Sequence, residues 1–185
     1  VTAAPQTAHR GILDYDNPME WIDDSSYDEG DSGETFVGET FGRVNKPEAH
    51  KVMEVLQAYF GKIGKSRILD ESIDVGIISP YRAQVHYLRH LIKKNVFFKP
   101  FRHLLSVNTV DGFQGQERDI IVVSLVRSNK DGQIGFLRDL RRMNVAMTRA
   151  RSKLIIIGDS HTLSRHPFYR LLYEYVKQTG SEDGV

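Results

Sequence analysis

The sequence predicts an α/β fold, a parallel sheet covered by helices on both faces and built as a single domain. Three observations predict it. Ile120 to Val126 and Leu154 to Ile157 are near-continuous apolar runs rich in β-branched residues, as expected of strands with no wet face. The segments between such runs carry apolar residues at helical spacing, and strand and helix patterns alternate along the chain. At 185 residues, length favours one core over two.

Residues 1–14 show no apolar period and are expected to form an arm. A short strand is expected around Met19 to Ile22. Asp23 to Gly42, rich in Asp, Glu, Ser and Gly, reads as a long acidic surface loop. Asn45, Pro47 and Glu48 then form a helix start, in which Asn45 caps the first turn and Glu48, three residues on, can reach back to it. Ala49, Val52, Met53, Leu56, Tyr59 and Phe60 recur at helical spacing, with Gly61 and Gly64 expected to end the helix.

Val75 to Ile78 reads as a short buried strand. Ser79-Pro80 looks like a cap and first helical residue for a helix bearing Val85, Leu88, Leu91 and Ile92. A further strand should end near Val107 to Thr109, followed by the strand at Ile120 to Val126. A helix is expected around Arg138 to Ala150, a strand over Leu154 to Asp159, and a terminal helix opened by Pro167 and stopped by Gly180. On this reading the main domain covers 15–165, with a last helix and tail at 166–185.

Composition narrows the class. Hydrophobic residues make up 40% of the chain and charged residues 26%, within the range of globular proteins. No apolar run approaches membrane-spanning length, the first ten residues do not resemble a signal peptide, and cysteine is absent, so an intracellular setting is expected. The net charge of +1 conceals an asymmetry: Gly11 to Gly42 holds ten acids and no Lys or Arg, whereas residues 43–185 hold 24 basic against 14 acidic residues. A basic domain of this kind suits contact with phosphates, although a solvated basic surface has the same composition.

Three segments carry groups that a connector would not need: Ser79 to Gln84, Thr109 to Glu117, and Asn144 to Arg151. Their places after strands, or on the helix leading to one, suggest that all three line one sheet edge. In the second, Gly112 and Gly115 permit close backbone approach to a ligand, and Glu117 could accept hydrogen bonds from a sugar hydroxyl. A tight turn satisfying its own backbone is the alternative. In the third, Arg149 and Arg151 precede a buried strand, with Arg141 and Arg142 earlier; guanidinium forks suit phosphate oxygens, or simply a solvated helix face.

Ser79-Pro80-Tyr81-Arg82-Ala83-Gln84, Val110-Asp111-Gly112-Phe113-Gln114-Gly115-Gln116-Glu117 and Arg142-Met143-Asn144-Val145-Ala146-Met147-Thr148-Arg149-Ala150-Arg151 resemble, in order, the late motifs of superfamily 1B helicases. The resemblance is to the AAA-type branch that contains the nonsense-mediated decay helicase and senataxin. Val126 to Asn129, Ile134 to Leu137 and Asn45 to Ala49 match it as well.

The resemblance implies a RecA-like fold of the P-loop NTPase type and a place as the second, C-terminal motor domain. In such helicases ATP lies between two RecA-like domains. Arg149 would then be the arginine finger, Glu117 the ribose-contacting carboxylate, and Gln114 with Gly115 the link between nucleotide and track. Tyr81, Thr109, Asp111 and Arg127 would contact the sugar-phosphate backbone of single-stranded DNA or RNA.

Gly64-Lys65-Ser66 imitates the end of a Walker A loop, but Tyr59 stands where its first glycine belongs and the triplet follows a helix. An early strand ending in an acidic pair is also missing, as is the family's Q-Y-R segment. ATP and Mg2+ are therefore expected to be held mainly by a first motor domain not included here, and the isolated chain is expected not to hydrolyse ATP. A non-catalytic nucleic-acid or protein-binding module is the competing reading. A metal site at His86 and His90 is not expected, because Tyr87 occupies the position where a zinc protease keeps its Glu.

Overall fold

The computed structural model describes residues 18–24, 33–37 and 42–181. Five parallel strands form the sheet: β1 (Met19–Asp23), β4 (Val75–Ile78), β5 (Leu105–Asn108), β6 (Arg118–Ser124) and β7 (Ala150–Gly158), in the order β1-β7-β6-β4-β5. A separate antiparallel hairpin pairs β2 (Glu34–Val37) with β3 (Gly42–Asn45). The expected arm at 1–14 lies outside the described residues.

Helices cover both faces. On one side α1 (Lys46–Ile63), α2 (Lys65–Asp70), α3 (Arg82–Lys94) and a 3-10 run over Val96–Leu104 pack Leu56, Phe60, Leu88 and Phe98 against Val75, Ile77, Ile120 and Val122. On the other, α4 (Leu140–Met147), α5 (Ser160–Leu163) and α6 (Pro167–Ser181) bring Met143, Ala146, Leu163 and Tyr169 against Ile121, Val123, Leu154 and Ile156. Every residue of β4 is buried, as is β6 from Asp119 onward, which explains their continuous apolar sequence. The expected α/β class and its parallel sheet are present.

Several local expectations change. Gly61 lies inside α1, and Gly64 ends it with φ +97°. Pro80 is not the first residue of α3, which begins at Arg82. The helix expected over 138–150 divides into a 3-10 turn at Gly135–Arg138 and α4, because β7 already begins at Ala150. The acidic stretch is not all loop: Glu34 to Val37 pairs with Gly42 to Asn45, so it contributes to the fold. His86 and His90 are exposed on α3, and among the described residues no group of three His, Asp or Glu could hold a metal ion.

Candidate nucleotide and strand-binding edges

Parallel pairing dictates where the three candidate segments go. A chain leaving the carboxyl end of one strand must return to the amino end of the next. Residues 109–117 therefore cross the sheet from the carboxyl end of β5 to the amino end of β6. Phe113 is buried over β4, where a Cβ on Gly76 would come within 2.9 Å of its ring. The expectation that all three segments share one edge is corrected: Ser79 to Gln84 and Thr109 to Asp111 stand at the carboxyl edge, and Glu117 and Arg149 at the amino edge.

At the amino edge, Arg118 and Ala150 are register partners, and the Arg118 amide donates to the Arg149 carbonyl at 3.0 Å. That bond sets Glu117 and Arg149, the residues immediately before β6 and β7, next to each other at the amino ends of neighbouring strands. Arg149 is half-buried; its Nε donates to the Val145 carbonyl at 3.2 Å and its Nη2 to Thr148 Oγ1 at 3.4 Å. Among the described residues no carboxylate lies within ion-pair distance of it. Glu117, Gln114 and Gly115 are exposed, and Gly115 takes φ +74° with open space where a side chain would point.

Arg151 is in a different position. Its Nε donates to Asp119 Oδ1 at 3.1 Å and its Nη2 to Asp74 Oδ1 at 2.9 Å. Asp74 and Asp119 also accept each other's backbone amides, at 2.7 and 3.1 Å. Burial and the neighbouring Asp119 raise the Asp74 carboxyl above its ordinary range, against the pull of Arg151. Of the two arginines at the start of β7, one is tied down within the domain and the other has no counter-charge among the described residues. Gly112, expected to make room for a ligand, instead makes room for Asn108, whose side chain would lie 2.1 Å from a Cβ there.

The carboxyl edge holds the remaining candidates. Thr109 is half-buried and Asp111 exposed, the latter 3.4 Å from Arg142 Nη2. Tyr81 and Arg127, expected to contact the strand, lie largely beneath the surface. Arg127 is 4% exposed; its Nε donates to Glu34 Oε2 at 2.9 Å and its Nη1 to the Tyr81 hydroxyl at 3.3 Å. Glu34 also accepts from Arg43, the Ser128 amide and Asn129 Nδ2. A buried guanidinium needs such a partner, and it comes from the segment read as loop. A single charge within an apolar run, downstream of a segment with ten acids and no Lys or Arg, was the available signal.

A second network braces this edge. Asn45 Oδ1 accepts from the Glu48 amide at 3.1 Å, the expected cap, worth about 1 kcal/mol. Glu48 does not reach back to Asn45, whose amide donates to Gln84 Oε1 at 2.9 Å instead. Glu48 Oε2 accepts from Ser124 Oγ at 2.6 Å and the Val126 amide at 2.7 Å, while Asn45 Nδ2 donates to the Val126 carbonyl at 2.9 Å. Val126 has φ +71°, a costly conformation for a β-branched residue, held because both its backbone groups are bound.

Burial raises the Glu48 carboxyl to about 8, against the hydrogen bonds from Ser124 and Val126 that favour its ionised form. Its folded value lies above its unfolded one, so the folded state holds an extra proton between the unfolded value of about 4.5 and about 8. Stability from this group is full below that window and is lost as pH rises through it. Chemical denaturation of wild type and Glu48→Gln across pH 4 to 9 should show the stability difference between them changing within this window. A difference that stays constant would refute the assignment.

Comparison with known proteins fits this geometry. The AAA domain family matches residues 2–161. The chain belongs to that family. The chain is 40% identical over 141 residues to probable helicase MAGATAMA 3 of Arabidopsis thaliana, covering 76% of this chain and 17% of that protein. With helicase sen1 of Schizosaccharomyces pombe the identity is 55% over 89 residues, 48% of this chain and 5% of the relative. With the DNA replication ATP-dependent helicase/nuclease DNA2 of Mus musculus it is 34% over 167 residues, 90% and 14%. The helicase domain thus spans less than a fifth of each of these relatives. It falls in the senataxin-like branch of superfamily 1, as a second RecA-like domain. No helix among the described residues is long and apolar enough to cross a membrane.

Proposed function

We propose that the chain is the C-terminal motor half of an ATP-dependent helicase, facing a nucleotide with its amino edge and a single strand of DNA or RNA with its carboxyl edge. The observation that carries this reading is the placing of Glu117 and Arg149 next to each other at the amino ends of β6 and β7, beside an Arg151 whose charge is already neutralised. A guanidinium without a counter-charge can stabilise the charge that develops on a transferring γ-phosphoryl group. Glu117 supplies a hydrogen-bond acceptor for ribose, and the exposed Gln114 and Gly115 extend the same surface.

The sequence holds no complete phosphate-binding loop, and among the described residues no group of three His, Asp or Glu could hold Mg2+. ATP and Mg2+ are assigned to the first RecA-like domain, this chain's expected partner. At the other edge Thr109, Asp111 and Arg142 line the proposed track. Contacts of this kind hold a backbone in register without reading sequence.

Two measurements test the proposal. The isolated chain should lack helicase-rate ATP hydrolysis and gain it when joined to a first motor domain. In the joined protein Glu117→Ala should raise KM for ATP about tenfold with kcat little changed, the pattern of lost uniform binding of a charged acceptor. Hydrolysis by the isolated chain, or an unchanged KM, would overturn the assignment. Strand affinity without any ATPase in the joined protein would favour a binding module instead.

A further inference from the structure

Phe136 is an aromatic ring left facing solvent. It is 59% exposed, in a turn flanked by the buried Ile134 and Leu137. Its inner face is stacked on Tyr81, with ring centroids 5.1 Å apart and planes 28° from parallel. Tyr81 is fixed in turn by Arg127, and Arg127 by Glu34. Gly135 has φ +52° and lies so close to this pair that a Cβ would come within 2.2 Å of Arg127 Nη1 and 2.8 Å of the Tyr81 hydroxyl. The ring is therefore a tile mounted on a rigid stack, with one face outward.

The tile borders a groove lined also by Pro80, Thr109, Asp111 and Arg142. Arg142 is half-exposed and held by Asp111 at 3.4 Å and Asp139 at 3.6 Å. Exposed pairs of this kind contribute little to stability, so a phosphate can compete for the guanidinium. An aromatic face beside an available cation is the arrangement that holds single strands without regard to sequence, since every base offers a π surface.

We infer that Phe136 is a stacking platform for one unpaired base of the bound strand, with Arg142 on the adjoining phosphate. This rests on the carboxyl edge being the strand track. The ligand class is an unpaired nucleobase within a single strand. Tyr81 acts as a positioning residue behind the platform and does not touch the strand.

The test separates the base from the backbone. The 185-residue chain and its Phe136→Ala and Phe136→Leu variants are titrated at low salt, by fluorescence anisotropy, with a base-bearing single strand and with an abasic strand of equal phosphate count. Both variants should lose about 10- to 100-fold affinity for the base-bearing strand and nothing for the abasic one, while Phe136→Trp retains affinity and is quenched only by the strand with bases. Equal losses on both strands, or none on either, would overturn the platform and leave the track standing. A wild-type chain that binds neither strand would overturn the track itself and the platform with it.

Discussion

Replacing Arg149 by Ala should lower the ATPase kcat of the joined motor by a factor of about 10³ to 10⁵, the range associated with an arginine finger in phosphoryl transfer. That corresponds to roughly 4 to 7 kcal/mol of barrier. Single-strand affinity should persist, because Arg149 stands at the amino edge and the track at the other. The control is Arg151→Ala. Arg151 is bound to Asp74 and Asp119 inside the domain, so its loss should reduce stability and affect catalysis only through folding. Lys at position 149 should restore little, because a point charge does not reproduce a planar fork. If Arg151→Ala proves the catalytic lesion and Arg149→Ala is silent, the two roles have been exchanged.

The second large effect is structural. Glu34→Ala should destabilise the chain by about 3–5 kcal/mol, because it leaves the buried Arg127 guanidinium without its carboxylate. For a chain of this size the thermal midpoint would fall by roughly 10 °C. Replacing both partners, Glu34→Leu with Arg127→Met, should recover much of the loss, since an apolar pair carries no desolvation penalty. A cost below about 1 kcal/mol for Glu34→Ala would mean that the pair behaves like a solvent-exposed one and does not anchor the hairpin.

Much of the fold was legible because burial on both faces leaves a direct mark. Val75 to Ile78, Ile120 to Val123 and Leu154 to Ile157 have continuous apolar sequence for the same reason that they occupy the middle of the sheet. The hairpin was not legible. Its strands are four residues each, and its principal contribution is a carboxylate reaching a guanidinium 93 residues away, a contact that no local period encodes. Glu48 shows the same limit. Its spacing from Asn45 suggested a reciprocal cap, and only the tertiary structure shows that Val126 and Ser124 hold its carboxylate instead.

At the site, residue types pointed to phosphate and sugar chemistry but not to which edge each group would face. Arg149 and Arg151 are equivalent in sequence, and the ion pairs of one distinguish them. Tyr81 and Arg127 had the composition of strand contacts and lie beneath the surface. Phe136 attracts no attention as a single aromatic residue, and its role rests on the stack that supports it.

The passage of residues 109–117 across the sheet has a mechanical consequence. Between the level of Ile78 and that of Arg118 lie about five strand residues, roughly 16 Å of height at the rise of a β-strand. One span, held at mid-length by the buried Phe113, connects the two rims of the domain, so the separation of its two ends is set by the sheet beneath it.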